Sequence, residues 1–393
     1  MNHTALYAYP WDLAPHDGCP AGIGADLADL GVDTLVLAAS YHAGRFLRPR
    51  TVAMGGPAVV MPEDGTVYFE PDLTRYGRLK PLKARGQQGD PFRKPPAGLR
   101  LEAWTVLLHN SRLGEANTDL VVRNAFGDPY PHALCPSRRE VGDYAAALCA
   151  DLGRTGVQGL RIETPGWSVY RHGHHHEFDQ TGLNPWVEAL LGLCFCGGCQ
   201  SEAHLIGLDL EPVRQRVQGH IRAFLASPAQ PSTDMALGWL VADLLEDDDL
   251  RFFLKWRRTL VTSLVARIRA ELPKDVALRV IATCQRPHAM ALLEGHDLAG
   301  LARACDQLEL PLYQPTPELV EADLWDVLRR GELPHPPSVI LRPGPPDMGS
   351  EGQLRDTLRR VKDLGVRDLA FYNLGLLRPV HLDWLRRSLT AIP

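Results

Sequence analysis

The chain has 393 residues, with 42 Lys and Arg against 47 Asp and Glu, a formal net charge of −5. Hydrophobic residues make up 45% and charged residues 23%, ordinary for a globular protein, which excludes a disordered or collagen-like chain. No like-charged block suggests a nucleic-acid tail, and no apolar run is long enough to cross a bilayer, so neither nucleic acid nor membrane is expected as a partner.

In chain order, short apolar runs alternate with helical periodicity. Strands are expected at Leu6–Asp12, Thr34–Tyr41, Leu101–His109, Gly159–Glu163, Ala277–Thr283, Gln307–Tyr313, Val339–Arg342 and Leu369–Asn373, with a helix at Ala21–Leu30. Eight strands separated by helices predict an α/β fold, a (β/α)8 TIM barrel formed by residues 1–393 as a single domain. Two insertions interrupt it. Residues 43–99 read as β-rich, Ala58–Met61 and Thr66–Glu70 flanking a Glu63-Asp64-Gly65 turn. Residues 200–274 read as helical, with an acidic loop at Glu246–Asp249 and an amphipathic helix at Leu250–Leu272.

The period of two along a strand says what faces inward. Leu160 and Ile162 turn out to the helices, leaving Arg161 and Glu163 inside; Glu309, Pro311 and Tyr313 turn in likewise, and Arg279 and Arg342 are further candidates. Arg161 and Glu309 are then expected as a buried ion pair. Glu163 reaches the C-terminal face of the barrel, where barrel enzymes carry their chemistry.

The start of the chain lacks the basic region of a signal peptide, so a cytoplasmic protein is expected. In a reducing compartment its eight cysteines are metal ligands or buried thiols rather than disulfides. Cys194-Phe195-Cys196-Gly197-Gly198-Cys199 places three thiols around a Gly-Gly turn, spacing that wraps one soft cation. Cys135, in Leu134-Cys135-Pro136-Ser137, is the first choice for a fourth ligand and Cys149 the second. Cys19, Cys284 and Cys305 read as isolated thiols. A four-thiolate zinc site is expected, with an iron–sulfur cluster as its alternative.

A Cys-x-Cys-x-x-Cys downstream of a barrel-strand glutamate, preceded by a Cys-Pro-Ser helix start, resembles glycoside hydrolase family 42, the β-galactosidase family. The resemblance covers roughly residues 100–200 and the barrel periodicity. It implies Cys135, Cys194, Cys196 and Cys199 as zinc ligands and Glu163 as general acid/base. The family carries Asn before that acid, where Ile162 stands here. Its nucleophile is a Glu ending the seventh strand, which here reads Leu341-Arg342-Pro343-Gly344-Pro345-Pro346-Asp347. Asp347 is the nearest carboxylate to take that part, with helix capping as its structural alternative.

The run Tyr170-Arg171-His172-Gly173-His174-His175-His176-Glu177 follows Glu163 and belongs above the fourth strand. His174, His176 and Glu177 are candidates to bind sugar, move a proton or hold a metal. Trp11, Asp12, Tyr41, His42, His109, Tyr313 and Asn373 fall at strand ends, where aromatic faces beside hydrogen-bonding groups suit a polyhydroxylated ligand. No Gly-x-Gly-x-x-Gly, P-loop or Gly-x-Ser-x-Gly supports a nucleotide-dependent enzyme or a serine hydrolase. The chain therefore reads as a glycosidase with a structural Zn2+, acting on a small carbohydrate or glycoconjugate and able to form a homo-oligomer. A metal-dependent lyase or isomerase using the His-rich loop is the first alternative, and a carbohydrate-binding pseudoenzyme the second.

Overall fold

The computed structural model describes residues 3–13, 27–86, 89–93, 98–172, 180–285, 290–330 and 333–391. Eight parallel strands close into a barrel: β1 (His3–Ala8), β2 (Thr34–Tyr41), β3 (Arg100–Val106), β4 (Gly159–Glu163), β5 (Ala277–Ile281), β6 (Gln307–Pro311), β7 (Ser338–Leu341) and β8 (Asp368–Phe371). Each pairs with its neighbour in sequence, and β1 pairs with both β2 and β8, so no edge is left open. All eight expected strands are present. No helix among the described residues is long and apolar enough to cross a membrane.

Several boundaries differ from the sequence reading. The first strand stops at Ala8, and Pro10–Leu13 is a helical turn whose Asp12 Oδ2 accepts the Tyr9 N–H. Pro10 has no N–H to offer a strand ladder, which ends extension there. The third strand ends at Val106 rather than His109. The helix expected at Ala21–Leu30 falls mostly outside the described residues, of which 27–29 are helical.

Between β2 and β3 the two segments flanking Glu63-Asp64-Gly65 find partners other than each other. Phe46–Leu47 pairs with Val59–Val60, while Thr66–Val67 runs antiparallel to Ser40 and Tyr41 of β2. The segments flanking Glu63-Asp64-Gly65 are thus not a hairpin, because Asp64 is bound outward to the N–H groups of Ala43 and Arg112. A hairpin that the sequence reading missed, Val121–Arg123 with Pro129–Leu134, precedes the helix Arg139–Leu152.

The helix Asp248–Glu271 packs against Arg139–Leu152 and Leu298–Ala304, and so is the barrel helix that follows β4. Helices Pro185–Leu191, Gly197–Leu205, Leu210–Ala226 and Thr233–Glu246 come before it as the helical insertion. The acidic run is not a free loop: Asp247 Oδ1 accepts the Leu250 N–H and caps the long helix.

The barrel lumen is charged. Arg161 donates Nε to Glu102 Oε2 at 2.6 Å and Nη1 to Glu309. Arg279 reaches the other Glu102 oxygen, and Tyr7 donates to Glu309 Oε2 at 2.6 Å. The expected Arg161–Glu309 pair is therefore one link of a larger network. Burial opposes a charge on Glu102, but the Arg161 and Arg279 guanidiniums outweigh it and hold the carboxyl at about 2. Removing one partner from such a network strands a buried charge. Glu102→Gln is expected to cost about 3–5 kcal/mol in urea denaturation, and a loss under about 1 kcal/mol would contradict the network.

Candidate active site and cysteine centre

The C-terminal ends of the strands surround a cavity of about 630 Å³, well within the span of small-ligand sites. Six aromatic residues, Tyr7, Tyr41, Trp104, Trp167, Tyr313 and Tyr372, contribute to its walls. Tyr7 and Tyr41 each meet Trp104 edge-on, at ring-centre distances of 5.2 and 4.7 Å. These contacts set the cavity shape from below.

Glu163 ends β4 and faces this cavity, its Oε2 accepting Trp104 Nε1–H at 2.7 Å. Burial pushes the carboxyl above the ordinary range, against the pull of the Trp104 indole and of His42. Thr164, next along, holds φ at 54°, a left-handed conformation that is rare and strained for a β-branched residue.

A second carboxyl lines the same cavity, and the sequence reading missed it. Glu294 follows the helical turn Met290–Leu293 in the connection after β5. Burial raises its pKa to about 8; Thr283 opposes the rise, and the nearby Glu163 charge adds to it. Its backbone oxygen accepts the Trp167 N–H at 3.1 Å. A Cβ at Gly166 would stand 2.0 Å from that oxygen, so only glycine lets the β4 loop approach so closely. His296 Nδ1 lies 3.4 Å from Glu294 Oε2 without forming a hydrogen bond. Burial lowers the His296 pKa to about 4, so this ring is neutral. A lone acid in Leu292-Leu293-Glu294-Gly295-His296 is the only sequence signal, and no motif marks it.

The expected binding residues divide into two groups. Tyr41 and Tyr313 line the cavity, as does His172. His172 Nε2 meets His109 Nδ1 at 2.8 Å, and His42 stacks on His109 with ring centres 4.5 Å apart. Burial and the neighbouring rings lower His109 to about 2 and His172 to about 4, so both are neutral at physiological pH. Trp11, Asp12 and Asn373 stand behind the wall instead. Trp11 stacks on Tyr9 at 4.6 Å, Asp12 is buried with its pKa raised to about 6, and Asn373 Oδ1 accepts the Gly375 N–H. Asp347 is not among the lining residues either. Both its oxygens accept from Arg342, Nε at 2.7 Å and Nη2 at 2.6 Å, and it is Arg342 that faces the cavity. His174, His176 and Glu177 lie outside the described residues.

Cys135, Cys194, Cys196 and Cys199 come together, buried, with Cys135 Sγ 3.6–3.7 Å from the other three. Metal–sulfur bonds of about 2.3 Å in a tetrahedron put thiolates about 3.8 Å apart, so the four suit one ion. Cys149 is buried elsewhere, in the helix Arg139–Leu152. A Cβ at Gly198 would meet Arg138 Cδ at 2.7 Å, which explains the small residue in the turn. One neighbour tests the fit independently. Arg257, 0% exposed, has no carboxylate partner among the described residues: Nη2 donates to Leu293 O at 2.8 Å, while Nε and Nη1 have no partner. A buried cation of this kind needs negative charge nearby. Cys199, Cys194 and Cys135 are the groups that favour its charge against burial. Four thiolates around a divalent ion would carry that negative charge.

The raised pKa of Glu294 has a consequence for stability. In the unfolded chain this carboxyl ionises near 4.5, in the folded one near 8, so stability is full below the first value and falls as pH rises towards the second. Glu294→Gln removes the titration. Its melting temperature is expected to gain on the parent protein's between pH 5 and 9, whereas an offset constant over that range would remove the raised pKa.

No protein-family model matches the chain, and no curated protein matches it in sequence. Among solved structures it is similar to the β-galactosidase of the psychrophilic Marinomonas ef1, with TM-score 0.53 and 10% identity over 99% of this chain and 59% of that one. A polyextremophilic β-galactosidase from the Antarctic haloarchaeon Halorubrum lacusprofundi gives TM-score 0.52 and 11% identity over 99% and 57%. The chain thus spans somewhat over half the length of either protein. At this identity the likeness establishes the architecture alone, a (β/α)8 barrel.

Proposed function

We propose that the protein hydrolyses a glycosidic bond of a small carbohydrate or glycoconjugate, with Glu163 and Glu294 as the reacting carboxyl groups. One observation carries the reading: two largely buried carboxyls line one cavity at the C-terminal face, and the charge of Glu163 raises the pKa of Glu294. Glycosidases need one carboxylic acid and one carboxylate across the scissile bond. A pair whose environments separate its two titrations supplies both at one pH.

Trp104 donates to Glu163 and His42 stands near it, both favouring the carboxylate. Among the described residues Glu294 has Thr283 as its one such partner, and it feels the charge of Glu163. The first proton of the pair therefore leaves Glu163. Glu294 then gives its proton to the departing glycosidic oxygen as the C–O bond breaks. Glu163, in the acid/base position that the family-42 resemblance assigns, acts as base or nucleophile, and water supplies the hydroxyl of the new reducing end. Arg342 stands where that family has its nucleophile, and the second carboxyl of the cavity follows β5 instead. The faces of Trp104, Tyr313 and Tyr372 suit the apolar C–H face of a sugar ring.

For the cysteine centre we propose zinc, because four soft thiolates in a closed tetrahedron leave no open position for chemistry. Such an ion fastens the start of the Arg139–Leu152 helix to the turn that opens Gly197–Leu205. Arg257 reaches from that centre to the carbonyl beside Glu294.

Two experiments test these assignments. Glu163→Gln should lower kcat by about 10²–10⁴ on both dinitrophenyl and alkyl glycosides. Glu294→Gln should do so on alkyl glycosides only, since dinitrophenolate leaves without a proton; equal effects on both substrates would dissolve the assigned roles. For the metal, Cys196→Ser should lose zinc by elemental analysis and melt earlier. Arg257→Met should release zinc to a chelator faster than Arg257→Lys. Full metal content in Cys196→Ser would remove the four-thiolate site.

A further inference from the structure

The hydrolysis leaves one charged residue of the cavity without a part. Arg342 follows Leu341, the last residue of β7, and is the only arginine or lysine among the described residues that line the cavity. Two contacts fix its guanidinium. Asp347, whose side chain is 5% exposed, holds Nε and Nη2 from one side, and the Tyr313 ring centre lies 4.2 Å from Cζ. Nη1 has no partner among the described residues, and the arginine side chain is 32% exposed. Because Asp347 is not part of the lining, the pair turns its positive end into the cavity. Among the described residues no hydrogen bond or ion pair joins Arg342 to Glu163 or Glu294, the acids of the lining.

A guanidinium gripped along its Nε–Nη2 edge still offers the outer edge, made of Nη1 and the second Nη2 hydrogen. That edge matches the two oxygens of a carboxylate. Resting on the glycosidase reading, we propose that Arg342 forms an anion subsite and that the sugar cleaved is acidic, a uronic-acid glycoside or a sugar bearing a like carboxylate. The carboxylate sits on Arg342 beside Tyr313, and the glycosidic oxygen lies at Glu163 and Glu294. A neutral sugar offers a hydroxymethyl group in the same place. That group accepts one hydrogen bond from the guanidinium where a carboxylate accepts two and brings the opposite charge, a difference worth about tenfold in affinity.

The test is calorimetric binding at pH 7 of methyl glucuronide and methyl galacturonide against methyl glucoside and methyl galactoside. Binding needs no turnover, so it separates the subsite from the hydrolysis. At least one uronide is expected to bind about tenfold or more tightly than its neutral counterpart. Arg342→Met should abolish that preference and Arg342→Lys should keep part of it. The wild-type comparison decides even where Arg342→Met, which strands Asp347, fails to fold. Equal affinities, or no binding of either uronide, overturn the subsite while leaving hydrolysis of neutral aryl glycosides to stand or fall alone. Arg342-dependent uronide binding without turnover of any aryl glycoside, acidic or neutral, keeps the subsite and removes the glycosidase.

Discussion

The charged floor of the barrel is the constraint on which the rest depends. Eight-stranded barrels are filled by inward side chains, commonly branched and apolar. Here Glu102, Arg161 and Glu309 are all nearly inaccessible and joined through each other. Such a network does not have to be more stable than an apolar filling. What it enforces is register. Slipping β4 by one residue turns Arg161 outward, leaving Glu309 without its cation and Glu102 with Arg279 alone. With β3, β4, β5 and β6 locked by these groups, the residues above them are placed too. Tyr7 donates to Glu309 below and packs on Trp104 beside it, and Trp104 donates to Glu163 above. The position of the proposed reacting carboxyl is thus inherited, layer by layer, from the floor.

Local signals in the sequence were the readable ones. Strand alternation around Arg161 and Glu309 predicted their pairing, because a period of two needs no knowledge of the partner strand. The cysteine turn is local as well, and Cys135 joins it through a recognisable Cys-Pro-Ser helix start. Glu294 had no such marker, since its character comes from burial and from Glu163, distant in sequence. The strands after β2 were misread for a related reason: Thr66–Val67 has the look of a hairpin arm, yet its partner is the end of β2. Asp347 looked like a catalytic acid by position, and only the geometry binds it to Arg342. Long-range pairing and desolvation are properties of the assembled barrel. Neither leaves a pattern in a short window.

Several features around the cavity oppose folding. Two carboxyls line one cavity, Thr164 is held in a left-handed conformation, and both ring nitrogens of His296 are buried without hydrogen bonds among the described residues. The neutral pair His109 and His172 is forced together by burial as well. Strain gathered at one site persists only where the surroundings over-determine it. The surroundings here are the ionic floor beneath and the cysteine centre to one side.

That second support reaches the chemistry through a continuous set of contacts. Phe195, between two of the cysteines, packs on Phe253 with ring centres 5.7 Å apart. Arg257 lies over Phe253 and, at 4.2 Å, over Trp167, and it binds the carbonyl of Leu293. Trp167 in turn donates its N–H to the carbonyl of Glu294. Contact alone does not prove coupling, but the electrostatics give this chain a direction. Burial raises the pKa of Glu294, and the residue is held in place by the Trp167 backbone N–H on its carbonyl and by the Met290–Leu293 turn that precedes it. Arg257 holds both of those, and a fully buried guanidinium is tolerable only beside compensating negative charge. In the proposed enzyme, four thiolates around one ion supply that charge. A metal centre that never touches substrate would then help set the pKa of the acid that does.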